Sequence, residues 1–323
     1  MTESTAAAPG TEHPGAVTVR VPAKVNVQLA VGGRRADGFH DLANVFLAVG
    51  LYDEVTASPA DRLDLTVAGA DASLVPLDSD NLAYRAAQLL AARYGIEPRA
   101  SLHLAKDIPV AGGMAGGSAD AAGALVACDA LWGTNASQDE LLKICAELGS
   151  DVPFSLLGGA ALGRGRGELL TPLETGGTFH WVFAPAEGGL STPEVYGECD
   201  RLREAAGSGS GVDAVPDPEP SGTLLDALRT GDAVALAGSL SNDLQEAAVS
   251  LRPALTDTLR AGLAAGALAS LVSGSGPTCA FLANDSEAAT EIAGALLASG
   301  TCRTTRIATG PVDGARLVGR TDS

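Results

Sequence analysis

The residues able to do chemistry fall into three glycine-bearing segments and two charged side chains. The longest segment is Pro109-Val110-Ala111-Gly112-Gly113-Met114-Ala115-Gly116-Gly117-Ser118-Ala119, placed between a strand-like stretch (101–108) and an apolar helical pattern. Glycines at such a junction let successive N–H groups converge on an anion, and the helix start adds about half a unit of positive charge. The segment reads as a phosphate cradle. It is not a Walker loop, because no Gly-Lys-Ser/Thr follows, and the chain has no complete G-x-G-x-x-G. On local pattern alone a close-packed turn without a ligand is the alternative.

Asp151, in Asp151-Val152-Pro153, allows two readings. It can cap the helix that follows, or it can take the proton of a hydroxyl attacking a phosphate, provided a cation keeps it ionised. Lys24, in Pro22-Ala23-Lys24-Val25-Asn26, is the candidate cation, although a strand lysine is more often only solvated. Ser273-Gly274-Ser275-Gly276-Pro277-Thr278 is a tight turn between apolar strands, either a plain connection or a second glycine turn closing over the first. His13, His40, His103 and His180 have no metal-binding spacing and no G-x-S-x-G is present, so zinc hydrolase and serine esterase chemistry are poor fits.

The elements that must position these residues are legible in part. Residues 1–15 read as a polar tail. Alternation in 17–21 and again in 25–31 predicts two strands, with a hairpin as one option. A helix follows from Asp80, capped by Ser79 or Asp80 and stopped by Gly95. Another runs from near Ser118 through Leu131, and a third opens with the capping box Ser137-x-x-Glu140 and ends at Gly149. An apolar strand covers 179–183, and a Gly/Ser/Pro/Asp-rich stretch at 204–222 reads as an exposed loop without chemistry. Helices at 224–240 and 253–265, strands at 267–272 and 278–282, a helix at 287–298 and a strand at 302–308 complete the chain. That order is a split β-α-β sandwich. The expected domains are 16–167, carrying the phosphate loop, and 168–323, with the 204–222 loop.

Composition bounds the class. With 323 residues, 46% hydrophobic and 19% charged, the chain is an ordinary folding sequence of about two domains. Aromatics are only 4% against 40 glycines, so the core must rest on aliphatic and small side chains. The net charge of −18, without a basic block, disfavours nucleic acid and anionic membranes as partners. Five cysteines without a C-x-x-C pair suit a reducing compartment. Met1 to Gly15 carries no signal-peptide pattern and no apolar run reaches the ~18 residues of a membrane span, so a cytoplasmic protein is expected.

Taken in order, Pro22-Ala23-Lys24-Val25-Asn26, the 109–122 loop and Val272-Ser273-Gly274-Ser275-Gly276-Pro277-Thr278 resemble the three motifs of the GHMP kinase superfamily. The resemblance spans nearly the whole chain and implies an α+β, two-domain fold: an N-terminal α/β domain of the ribosomal-protein type and a C-terminal ferredoxin-like domain. It implies ATP and Mg²⁺ as cofactors, a small-molecule substrate, and a monomer or weak homodimer. The segments 33–42 and 150–154 resemble the branch that phosphorylates the 2-hydroxyl of a cytidyl-diphosphate-linked methylerythritol, on the non-mevalonate route to isoprenoids. By that resemblance Asp151 is the base and Lys24 its cationic partner. Asn26 and Thr192 touch substrate, Phe39 and Tyr196 sandwich the cytosine, His40 bonds its edge, and Asn81 and Lys106 contact adenosine. Ala111 and Ala115 stand where glycines are common in the family, so negative φ is expected at both. Asp120 is expected to point away from the phosphates or toward Mg²⁺. Kinases of homoserine or mevalonate, and a non-catalytic nucleotide-binding regulator, are the competing readings.

Overall fold

The computed structural model describes residues 15–320; the expected tail lies almost wholly outside them. The first half contains β1 (Val17–Arg34), β2 (His40–Ser58), β3 (Asp64–Gly69), α1 (Leu82–Tyr94), β4 (Ser101–Lys106), α2 (Gly116–Trp132), α3 (Gln138–Leu148), α4 (Val152–Leu157), β5 (Ala160–Arg164) and β6 (Leu169–Pro172). The second contains β7 (Phe179–Ala184), α5 (Thr192–Ala205), α6 (Gly222–Thr230), α7 (Ala233–Ala237), β8 (Ser241–Asn242), α8 (Gln245–Leu251), α9 (Leu255–Ala264), β9 (Ala269–Val272), β10 (Cys279–Ala283), α10 (Ser286–Ser299), β11 (Arg306–Gly310) and β12 (Arg316–Arg320).

The two alternating runs at the start are one long strand, not a hairpin. Val17, Val19, Val21, Ala23, Val25 and Val27 are all fully buried, and an unbroken parity of inward side chains is what a single strand produces. Its register against β2 shifts at three places, at Pro22/Ala23, Asn26/Gln28 and Val31/Arg34. From Lys24 onward both faces of β1 are buried, because the second half of the chain covers the face that carries Lys24, Asn26 and Gln28. β2 is near-continuously apolar over Leu42–Leu51 and so shows no period of two to the sequence.

The larger sheet runs β12-β1-β2-β4-β3, with β5 and β6 continuing from β2 and β8 beside β1. Helix α2 lies against it. At Gly123 a Cβ would sit 2.6 Å from Val55 and 2.9 Å from Val21, so the glycine sets how closely helix and sheet approach. The alanines of α2 fill the rest of the contact, which is how a chain with few aromatics packs a core. Asn81, not Ser79 or Asp80, caps α1, and Gly95 ends it with φ of 64°. The capping box of α3 is present as read, with Ser137 and Glu140 bonding reciprocally.

The smaller sheet is antiparallel, in the order β11-β7-β10-β9. With helices between β7 and β9 and between β10 and β11, this is the ferredoxin-like split β-α-β arrangement. Phe281, Val182, Leu259, Ile292 and Leu296 form its core. The expected division at 167/168 falls inside the β5–β6 hairpin, which belongs to the larger sheet, and β12 returns the chain to β1. The larger domain therefore owns both ends of the described chain.

Candidate active site

Lys24 points from β1 into the seam between the two halves. Its ammonium donates to Asn26 Oδ1 (2.6 Å) and to the carbonyl of Gly113 (2.9 Å), and lies 3.6 Å from Asp151 Oδ2. Asn26 donates in turn to Asn44 Oδ1 on β2 (2.6 Å). Burial pulls the Lys24 pKa below its ordinary value, and the Asp151 charge opposes that pull. Asp151 occupies the cap position of α4, yet its side chain makes no capping hydrogen bond. The carboxylate instead faces Lys24 and stays 32% exposed, open to a ligand.

The phosphate loop joins β4 to α2. The N-cap of α2 is Ala115, whose side chain has no oxygen, so no side-chain cap engages the first-turn N–H groups of Gly116, Gly117 and Ser118. Ala111 and Ala115 adopt φ of +52° and +62°, contrary to the negative values expected. Alanine here takes the left-handed geometry usually reserved for glycine, at a cost of about 1–2 kcal/mol per residue. The backbone shape is thus kept without the glycines.

The second glycine turn does close on the first. Gly113 O accepts from Ser273 Oγ (3.1 Å), and Gly112 O from the N–H of Thr278 (3.3 Å). Asn242 clamps that turn by donating to the carbonyls of Val272 and Gly274. Ala111, Gly112, Gly113, Ala115, Gly116, Gly117 and Ser118 line one cleft of about 750 Å³ together with Lys24, Asn26, Asp151 and the 274–276 turn. That volume suits a small-molecule site. Pro109, Val110, Met114 and Ala119 are outside the lining, and Met114 and Ala119 are fully buried beneath it.

At the far end of the cleft His40 Nε2 and Asp200 Oδ1 are 3.0 Å apart, and the His40 ring lies 5.1 Å from that of Tyr196. Burial raises the Tyr196 pKa, reinforced by the Asp151 charge, so the phenol stays neutral. Phe39 is half exposed, with Arg166 over its ring at 5.2 Å. Thr192 Oγ1 contacts Ser275 Oγ (2.9 Å), tying α5 to the glycine turn. One cleft thus carries aromatic faces, the glycine loop and the Lys24–Asp151 pair.

Two expected nucleotide contacts are placed elsewhere. Asn81 spends its side chain on Ala83 N and Pro76 O, and Lys106 is buried between Asp53 and Asp120. Neither lines the cleft. Asp120 is buried against Lys106 and does not line the cleft. The sequence reading missed Arg34, Asn44, Arg166 and Asp200, all in the lining. With Lys24, two arginines oppose two carboxylates there, so the cleft is less acidic than a chain of net charge −18 suggests.

Models of the GHMP kinase N-terminal and C-terminal domains match residues 81–159 and 224–301. The chain is 72% identical over 302 residues to a 4-diphosphocytidyl-2-C-methyl-D-erythritol kinase of Streptomyces avermitilis, covering 94% of this chain and 99% of that one. It is 56% identical to the protein of that name from Thermobifida fusca, with the same coverages. Among solved structures it is similar to a 4-(cytidine 5'-diphospho)-2C-methyl-D-erythritol kinase, with TM-score 0.73, 33% identity, and 91% and 99% of the two chains covered. A homoserine kinase from Cytophaga hutchinsonii shares the fold at TM-score 0.71 and 21% identity, covering 97% and 100%.

Proposed function

Because the chain belongs to the 4-diphosphocytidyl-2-C-methyl-D-erythritol kinases of the GHMP family, we propose that its cleft transfers the γ-phosphoryl group of ATP to the 2-hydroxyl of 4-(cytidine 5'-diphospho)-2-C-methyl-D-erythritol. The triphosphate lies on the N–H groups of residues 111–118. The substrate hydroxyl approaches Asp151, which takes its proton as the new O–P bond forms and the bond to the ADP oxygen breaks. Lys24, 3.6 Å from that carboxylate, orients it and puts positive charge beside the transferring group. Positioning and charge neutralisation are what phosphoryl transfer asks of a protein.

Mg²⁺, where bound with the nucleotide, would supply charge neutralisation at the phosphates. Ser118 and Asp151, both in the cleft lining, would hold it. Among the described residues no cluster of three His, Cys, Asp or Glu is arranged for a metal. That donor set fits an ion held mostly by phosphate oxygens and water.

Phe39 and Tyr196 supply aromatic faces for the cytosine, and His40, oriented by Asp200, supplies a polar edge beside them. A homoserine or mevalonate acceptor would use neither. Asn26 and Thr192 line the wall between the two ends. One chain provides every residue named, so a monomer is sufficient for the reaction. No helix among the described residues is long and apolar enough to cross a membrane, and the five cysteines are free, which supports a cytoplasmic setting.

The observation that carries the proposal is the Lys24–Asp151 pair, 3.6 Å apart between the loop and the aromatic end of one cleft. Its test is ADP formation with the cytidyl substrate by the unmodified protein and by Asp151→Asn, with ATP binding measured on both. Loss of turnover with ATP binding retained supports the assignment; an unchanged rate removes Asp151 from the chemistry.

A further inference from the structure

Lys106, Asp53 and Asp120 form a buried cluster beneath the phosphate loop that the reaction itself does not use. The Lys106 ammonium donates to Asp53 Oδ2 (2.5 Å), Asp120 Oδ2 (2.6 Å) and the carbonyl of Gly116 (3.2 Å). Asp53 Oδ1 accepts from the N–H groups of Asp107 (2.7 Å) and Ile108 (2.9 Å). All three side chains are under 5% exposed. The other Asp120 oxygen is buried without a partner.

Each contact falls at an end of the loop. Asp107 and Ile108 lead into it, whereas Gly116 and Asp120 belong to the first turns of α2 that leave it. Asp53, on β2, fixes the lead-in; Lys106, at the end of β4, fixes the exit; and their ion pair joins the two. A buried ammonium shared by two carboxylates is a weak stabiliser, since desolvating three charges is only partly offset by their attraction. Such an arrangement does restrict geometry, because every direction of the ammonium is committed.

We propose that Lys106, Asp53 and Asp120 are positioning residues that hold the two ends of the phosphate loop at the separation where its N–H groups converge on the nucleotide. Lys106 therefore governs ATP affinity without touching ATP. This rests on the reading that the loop binds the triphosphate, and a binding measurement with Mg-ATP alone keeps the two separable: if the unmodified protein binds no Mg-ATP, it is that reading that fails.

The informative variant is Asp120→Ala. It removes the carboxylate tie to α2, leaving Lys106 only the Gly116 carbonyl there, and keeps the charge-balanced Lys106–Asp53 pair, so the protein keeps its fold, checked by circular dichroism and Tm. The dissociation constant for Mg-ATP, by calorimetry, is expected to rise about tenfold, as losses of supporting contacts commonly do, while KM for the cytidyl substrate stays within about twofold. Asp120→Asn keeps an oxygen for Lys106 and is expected to restore ATP affinity to within about threefold of the unmodified protein. Unchanged ATP affinity in Asp120→Ala overturns the proposal. So does an equal loss for both ligands, which would mark general loosening, and so does Asp120→Asn binding as weakly as Asp120→Ala.

Discussion

The Lys24 ammonium ties Asp151, its own strand and the glycine loop together: it lies 3.6 Å from Asp151 Oδ2, 2.6 Å from Asn26 Oδ1 and 2.9 Å from Gly113 O. A single buried cation thus sets the distance between the proposed base and the loop proposed to hold the phosphates. Asp151→Asn should lower kcat by about 10²–10⁴-fold, the usual worth of a general base, with Mg-ATP affinity nearly unchanged. Steady-state kinetics with calorimetry on the same preparations checks both halves.

The same burial gives a pH dependence. The Lys24 pKa lies below the ordinary lysine value because burial disfavours the charged form more than Asp151 restores it. The ammonium is the form the reaction needs, so kcat should fall as pH rises through that depressed value. Lys24→Arg, whose charge persists, should abolish this alkaline decline even if its absolute rate is low. A decline of the same shape in the arginine variant would assign it to another group.

Gly113 is where the two glycine turns meet. A Cβ there would lie 2.1 Å from the Ser273 carbonyl oxygen, and φ is +76°. Gly113→Ala must push the two turns apart, and kcat/KM for the cytidyl substrate should drop at least about a hundredfold, as misplacement near an ångström does. Ala115 offers the opposite experiment. Its φ of +62° is strained for alanine, so Ala115→Gly should raise stability by about 1 kcal/mol, read from urea midpoints.

Specificity is divided between the ends of the cleft. Phe39→Ala should raise KM for the cytidyl substrate by roughly 1–3 kcal/mol of lost stacking, about 5- to 150-fold, and leave KM for ATP within about twofold. A rise in the ATP value alone would mean that Phe39 serves the other ligand.

The loop, its helix and the α3 cap were legible because glycine spacing and capping patterns are local. Lys24 and Asp151 could be proposed from residue type, but their pairing across the seam became visible only in three dimensions. The ion pairs of Lys106 are not legible locally, because its partners stand 53 and 14 residues away in sequence. The positive φ of Ala111 and Ala115 opposes the local propensity of alanine. β2 was not recognised because its apolar run, buried on both faces, shows no alternation.

Asp120 ties stability to pH. Burial, reinforced by Asp53 and opposed by Lys106, pushes its carboxyl up to about 7. Between its unfolded value of 3.8 and 7 the folded protein therefore binds the proton that the unfolded chain has lost, so this contribution is full below the lower value and disappears as pH rises to the upper one. Relative to Asp120→Asn, the unmodified protein should lose stability across that window and no further above it. Denaturant midpoints of the two proteins between about pH 4 and 8 measure the difference.

The most direct measurement is ADP release by the purified protein with Mg-ATP and, in parallel, 4-(cytidine 5'-diphospho)-2-C-methyl-D-erythritol, mevalonate and homoserine, with Asp151→Asn as the control. Turnover of the cytidyl substrate alone, lost in the control, is the predicted result. Turnover of mevalonate or homoserine in its place, or none of the three while ATP is bound, would contradict the account.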